Sequence, residues 1–195
     1  MSPLILASAS PRRAEILSTL GVDFEVQPSH ADEASLHVED HVDFVHEAAL
    51  LKLRTTLANM PHEGPFVLAA DTIVCVEELR LGKPSDDGDA LRMLQRLAGR
   101  GHVVRTAVAL GRAGQGPVGT CVVETRVWFR EISDAALRRY VASGEPRDKA
   151  GAYGVQGLAS GFVTRLEGSY TNVVGLPAAE VVSLLLEHGA LEQWP

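Results

Sequence analysis

Ser8-Ala9-Ser10-Pro11-Arg12-Arg13 joins a small-residue turn to a helix start. Ser10 suits an N-cap and Pro11 suits the first helical position. That first turn prefers acids, because its N–H groups make the helix end positive. Here it carries Arg12 and Arg13 instead. An anion lodged in the turn resolves the conflict. Helix N–H groups, the hydroxyls of Ser8 and Ser10 and two guanidinium forks would then converge on phosphate. Two solvated arginines are the plainer alternative, but strand, turn and cap in succession favour phosphate. The segment is not a Walker A loop, which needs G-x-x-x-x-G-K-[ST].

Asp71 interrupts the apolar run Val67-Leu68-Ala69-Ala70-Asp71-Thr72-Ile73-Val74. A buried charge is costly unless it is paired, hydrogen-bonded or on a metal. Asp71 is therefore either a catalytic or metal-binding carboxylate, or one tied to an arginine. Glu33 follows the second expected strand, where a loop can bring it to the same cleft; taken alone it reads as solvated. The chain uses Arg 15 times and Lys three times, at Lys52, Lys83 and Lys149. A retained Lys is a compact point charge with three donors. Lys83 and Lys149 lie in turn-like segments, and Lys52 interrupts the apolar side of a helix. Ala150-Gly151-Ala152-Tyr153-Gly154-Val155-Gln156-Gly157 reads as a shaped loop near a ligand or as an ordinary connection. His37 and His41 flank Glu39 without forming H-E-x-x-H, so an exposed polar face is preferred to a zinc site.

These residues need elements to hold them. Pro3 to Ala7 reads as a buried strand, followed by a helix from the Ser10 cap to Gly21 and a strand from Asp23 to Gln27. From Val38, apolar residues at Val42, Val45, Ala49 and Leu53 mark a long amphipathic helix. Phe66 to Val76 reads as a buried strand. Ser85 is the expected cap of a helix stopped at Gly99, with Leu91, Leu94 and Leu97 on its core side. Val103 to Leu110 and Val118 to Arg130 read as strands, the second with Thr125, Val127 and Phe129 on one face and Glu124, Arg126 and Trp128 on the other. Ser133 caps a helix ending by Gly144. An irregular stretch runs from Glu145 to Ser160, a strand follows at Phe162 to Leu166, and Pro177 opens a last helix stopped at Gly189. Mixed order without strict alternation predicts an α/β fold on a mixed sheet.

The 195 residues, 46% apolar and 22% charged, predict one globular domain over 1–195 and exclude disorder as the main state. Cys75 and Cys121 are too few for a disulfide scaffold and fit a reducing compartment. The start shows no basic leader region and no apolar run approaches the roughly 20 residues of a membrane span, so a cytoplasmic address is expected. The net charge is −7, with nine acids against two arginines in residues 1–50. No basic face exists for a duplex, and 5% aromatics do not make a single-strand stacking platform.

Taken together, Leu4-Ile5-Leu6-Ala7-Ser8-Ala9-Ser10-Pro11-Arg12-Arg13, Ala70-Asp71-Thr72-Ile73-Val74, Gly82-Lys83-Pro84, Asp148 to Gly157 and Val173-Val174-Gly175-Leu176-Pro177 resemble the Maf family of nucleoside triphosphate pyrophosphatases over essentially the whole chain. The resemblance implies a mixed twisted sheet in two lobes around a central cleft, shared with inosine triphosphate pyrophosphatases. It implies hydrolysis of a nucleoside triphosphate to monophosphate and pyrophosphate with a divalent metal, Mg²⁺ or Mn²⁺, in a cytoplasmic and often homodimeric protein. It assigns the catalytic base to Asp71 and substrate selection to Arg12, Thr72 and Gln156. A branch acting on 7-methyl-GTP carries Trp and Glu in place of Arg12 and Gln156, so this chain resembles the dTTP/UTP branch. Ser8, Arg12, Arg13, Lys52 and Lys83 are the expected phosphate-side contacts. Asp71, with Glu33, is the expected metal ligand set. A nucleotide-binding regulator of cell division without turnover is the alternative reading, and an intact Asp71 weighs against it.

Overall fold

The computed structural model describes residues 3–61 and 64–195. The chain divides into two compact units. The first holds residues up to Asp71, Thr106–Val123 and Gly175–Pro195; the second holds Thr72–Arg105 and Glu124–Val174.

In the first unit, β1 (Leu4–Leu6) leads into α1 (Pro11–Thr19), β2 (Phe24–Val26) and α2 (His41–Leu57). β1 pairs in parallel with β2, Leu4 opposite Phe24, and with β3 (Phe66–Val76), Ile5 opposite Val67. Val67, Leu68, Ala69 and Ala70 are all fully buried. Strands flanked on both sides read as continuous apolar runs for this reason, and β3 has the bounds its β-branched run predicts. α2 begins at the Asp40 cap, whose carboxylate accepts from the Val42 and Asp43 amides. Val45, Ala49 and Leu53 are fully buried, but Val42 is 42% exposed. The expected stripe thus starts one turn later, because Val42 lies in the first turn. α6 (Ala178–Glu187) closes the unit.

The second unit carries β4 (Leu79–Leu81), α3 (Asp87–Leu97), α4 (Asp134–Ala142), β7 (Val163–Glu167) and α5 (Tyr170–Val174). β4 and α5 were not expected. β4 pairs antiparallel with the end of β3, Val74 opposite Leu81. α5 depends on Ser169 and the buried Asn172. Asn172 donates to the Val104 carbonyl (3.1 Å) and to Thr125 Oγ1 (2.9 Å). The cap of α3 is Asp86, not Ser85. Asp86 accepts from the Asp89 amide at 2.7 Å while the Asp89 carboxylate accepts from the Ser85 amide at 3.0 Å. That closure takes an acceptor side chain at 86 and places Ser85 outside the helix. Ser133 caps α4 as expected, and Gly144, at φ 78°, ends it in a left-handed conformation.

β5 (Gly101–Arg112) and β6 (Gly116–Phe129) complete seven strands, ordered β2-β1-β3-β5-β6-β7 with β4 on β3. Parallel pairs at β1 and antiparallel pairs at β4 and β7 make the sheet mixed, as expected. Among the described residues no helix is long and apolar enough to cross a membrane.

Within the second unit His102 is buried between the ring edges of Phe129 and Tyr153, and its Nε2 lies 2.8 Å from the Tyr153 hydroxyl. Burial pushes its pKa down from the ordinary value of 6.5 to about 4. The imidazole is therefore neutral in the fold, while the unfolded chain takes up a proton below about pH 6.5. Stability is complete above that pH and is lost as pH falls through about 4. From pH 7 to pH 5 the loss is on the order of 2 kcal/mol. Urea unfolding at both pH values measures it, and His102→Gln should flatten the dependence. Equal slopes in wild type and variant would exclude His102 as the source.

Candidate active site

The turn between β1 and α1 is built around Ser8 and Arg13. Ser8 is buried, and its Oγ accepts from the Ser10 amide (3.2 Å) and from Arg13 Nη1 (3.0 Å). Arg13 is also buried. Its Nε donates to the Gly175 carbonyl and its Nη1 to the Ala70 carbonyl, each at 2.8 Å. Burial lowers the Arg13 pKa and the nearby Asp71 carboxylate opposes that shift; a guanidinium stays protonated regardless. Arg13 is therefore engaged with the backbone that precedes Asp71. Arg12, half-buried in the first turn of α1, lies beside it. The Ser10 side chain makes no cap bond and the first turn holds no acid. The positive end of α1 keeps the character the sequence suggests.

Asp71 sits in β3 at 7% exposure. Its Oδ1 accepts from Lys52 Nζ at 2.6 Å, and the same ammonium lies 3.0 Å from Glu33 Oε2. Lys52 breaks the apolar side of α2 because it faces this carboxylate, as the neighbouring Ala48, Ala49 and Leu53 are fully buried. Glu33 opens a 3₁₀ turn, Glu33–Ser35, with Asp32 as its cap. Ser8, Arg13, Glu33, Lys52 and Asp71 are thus gathered within the first unit. Two carboxylates converge on one cation there. Among the described residues no group of three or more His, Cys, Asp or Glu side chains forms a metal cage. A pair of hard oxygen donors fits Mg²⁺ or Mn²⁺, which take their remaining ligands from phosphate oxygens and water. His37 and His41 join no such cage.

The second unit holds Thr72, Lys83 and Gln156. Thr72 follows Asp71 in β3 and is half-buried; Lys83 is exposed. The glycine-rich loop is a packed structure, not a loose connection. Gly151, at φ 68°, donates to the Gly82 carbonyl at 3.0 Å. A Cβ there would come within 2.8 Å of Val74 Cγ2, so a side chain is excluded by both conformation and space. From Gly151 to Val155 every residue is buried, and Gln156 alone between Gly151 and Gly157 is exposed. Lys149 Nζ donates to the Glu145 carbonyl and to Asp148 Oδ1, each at 2.6 Å, and so serves the loop itself. Tyr140, Glu145 and His102 were missed in the sequence. The one available signal was an acid beside Pro146 just ahead of the loop.

The family model of Maf-like proteins matches residues 3–188. The chain belongs to the Maf-like family. This Maf-like chain is 48% identical over 188 residues to the dTTP/UTP pyrophosphatase of Syntrophus aciditrophicus (strain SB), covering 96% of the chain and 91% of that relative. It is 49% identical over 183 residues to the dTTP/UTP pyrophosphatase of Caulobacter vibrioides, covering 93% of each. The Ham1 protein of Staphylococcus aureus shares the fold, with a TM-score of 0.51 at 16% identity over 96% of this chain and 100% of that one.

Proposed function

We propose that this Maf-like chain is, over residues 1–195, one nucleoside triphosphate pyrophosphatase domain that hydrolyses dTTP and UTP to the monophosphate and pyrophosphate. The buried Asp71 joined through Lys52 to Glu33 carries the reading, and the names of its relatives support the substrate class. A triphosphate carries roughly four negative charges, and its cleavage is catalysed mainly by positioning and charge neutralisation. Arg12, Lys52, Lys83 and the α1 end neutralise the phosphates. Ser8 and Arg13, which also brace the backbone just before Asp71, join them on the phosphates. Asp71 accepts a proton from a water as that oxygen bonds to the α-phosphorus. The bond from the α-phosphorus to its bridging oxygen breaks, and pyrophosphate departs with that oxygen. Asp71 and Glu33 would hold Mg²⁺ or Mn²⁺, which supplies charge neutralisation and a more acidic water when bound.

Thr72 and Gln156 are assigned to the base. The Gln156 amide carries a donor and an acceptor on one plane and can match part of the imide edge of thymine or uracil. A missing methyl costs little, so dTTP and UTP are handled alike. Beside Arg12 the cationic base of 7-methyl-GTP is repelled. The net charge of −7 supports the absence of nucleic-acid partners. The cytoplasmic address and the homodimer rest on the family resemblance.

Product analysis tests the reading. Pyrophosphate should appear from dTTP and UTP, fall sharply with excess chelator, and be scarce from 7-methyl-GTP. Orthophosphate as the main product, full activity in chelator, or binding without release would overturn it.

A further inference from the structure

Gln156 lies in a stretch whose backbone is held after it by the Glu145 carboxylate and before it by the Tyr140 hydroxyl that this carboxylate binds. Glu145 Oε2 accepts from the Leu158 amide at 2.9 Å, two residues after Gln156. Glu145 Oε1 accepts from the Tyr140 hydroxyl at 2.9 Å and from the Ala159 amide at 3.5 Å. The Tyr140 hydroxyl in turn accepts from the Gly154 amide at 3.3 Å, two residues before Gln156. The two glycines in this stretch leave room for these groups. A Cβ on Gly157 would overlap the Glu145 carboxylate, and one on Gly154 would come within 2.7 Å of Lys149 Cε. An ionised carboxylate only accepts, so it can satisfy the hydroxyl and two amides at once. An amide in its place must turn a donor toward another donor.

We propose that Glu145, aimed by Tyr140, is a positioning residue that places Gln156 and thereby sets the choice among pyrimidine bases. The proposal rests on the reading of Gln156 as the base-reading side chain. Cytosine differs from uracil in presenting an amino donor and a ring acceptor on the same edge. A Gln side chain carried on a displaced backbone loses the register that separates the two. Glu145 does not touch the phosphates in this assignment, so its loss alters base choice more than turnover.

The test is a double-mutant cycle on the purified full-length chain. kcat and KM are measured for dTTP and dCTP in wild type, Glu145→Gln, Gln156→Ala and the combination, with melting temperatures as a control. Glu145→Gln should lower the dTTP-to-dCTP ratio of kcat/KM by about tenfold, mainly through the KM for dTTP. With Gln156→Ala already present, Glu145→Gln should change that ratio no further. An unchanged ratio in Glu145→Gln, an equal loss for both nucleotides, or the same change with and without Gln156 would overturn the proposal and leave a merely structural carboxylate. If Gln156→Ala alone leaves the ratio unchanged, the reading of Gln156 falls and the proposal falls with it. Should Glu145→Gln not fold, Tyr140→Phe, which removes one oxygen and keeps the ring, takes its place in the cycle under the same criteria.

Discussion

Asp71→Asn is expected to lower turnover of dTTP by roughly 10²–10⁴-fold while leaving the protein folded. The amide has nearly the shape of the carboxylate, and its oxygen can still accept the hydrogen bond that Lys52 Nζ gives Oδ1 at 2.6 Å. The contacts of Arg13 with the Ala70 and Gly175 carbonyls do not involve the Asp71 side chain and should persist. What disappears is a group able to take the proton of the attacking water and to share a metal with Glu33. The measurement is steady-state pyrophosphate release, beside a thermal melt that establishes the fold. Wild-type turnover in a folded variant would remove Asp71 from the reaction.

Lys52→Met is expected to cost roughly 10²–10³-fold in kcat, the usual cost of removing one preorganised donor at a site of developing charge. Methionine keeps most of the apolar stem that packs along α2, so the change isolates the ammonium. The ammonium does two jobs at one point. It orients the Asp71 carboxylate, and it joins that carboxylate to Glu33 at 3.0 Å. The second job matters for stability as well, because removing one member of a largely buried ion pair leaves the other without its partner. Thermal stability should therefore fall along with the rate. If Lys52 acts mainly through Asp71, Lys52→Met added to Asp71→Asn should slow the enzyme far less than it slows wild type. Fully multiplicative losses would instead make the phosphates, which Lys52 also neutralises in the proposed reaction, the main target of its ammonium. A folded Lys52→Met protein with wild-type kcat would exclude both roles.

What the sequence determined by itself is everything encoded within a few neighbouring residues. The run from Phe66 to Val76 is strand in the structure with the same bounds, because apolar β-branched residues in succession suit a strand flanked on both sides. Ser133 and Gly144 delimit α4, because a cap and a left-handed stop act across a single turn. The loop around Gln156 was legible as a glycine-rich segment, shaped or merely connecting; that it is packed, with Gln156 left exposed, follows from Val74 and Gly82, far back in the chain. Elements of three and five residues, β4 and α5, carry too few positions for any periodicity. They exist because β3 offers β4 an edge and because Asn172 finds Thr125 and Val104. Asp71 and Lys52 were legible as charges interrupting apolar runs and Glu33 as a residue that a loop can bring to the same cleft, but their direct contact was not legible. Nineteen residues separate Lys52 from Asp71, and only the packing of α2 against β3 brings them to hydrogen-bonding distance. Arg13 shows the same limit most plainly. In sequence it belongs to a helix start and its natural partner is an anion. In the fold its guanidinium reaches the carbonyl of Gly175, 162 residues away, because a buried cation must find acceptors and the tertiary structure alone decides which ones are near.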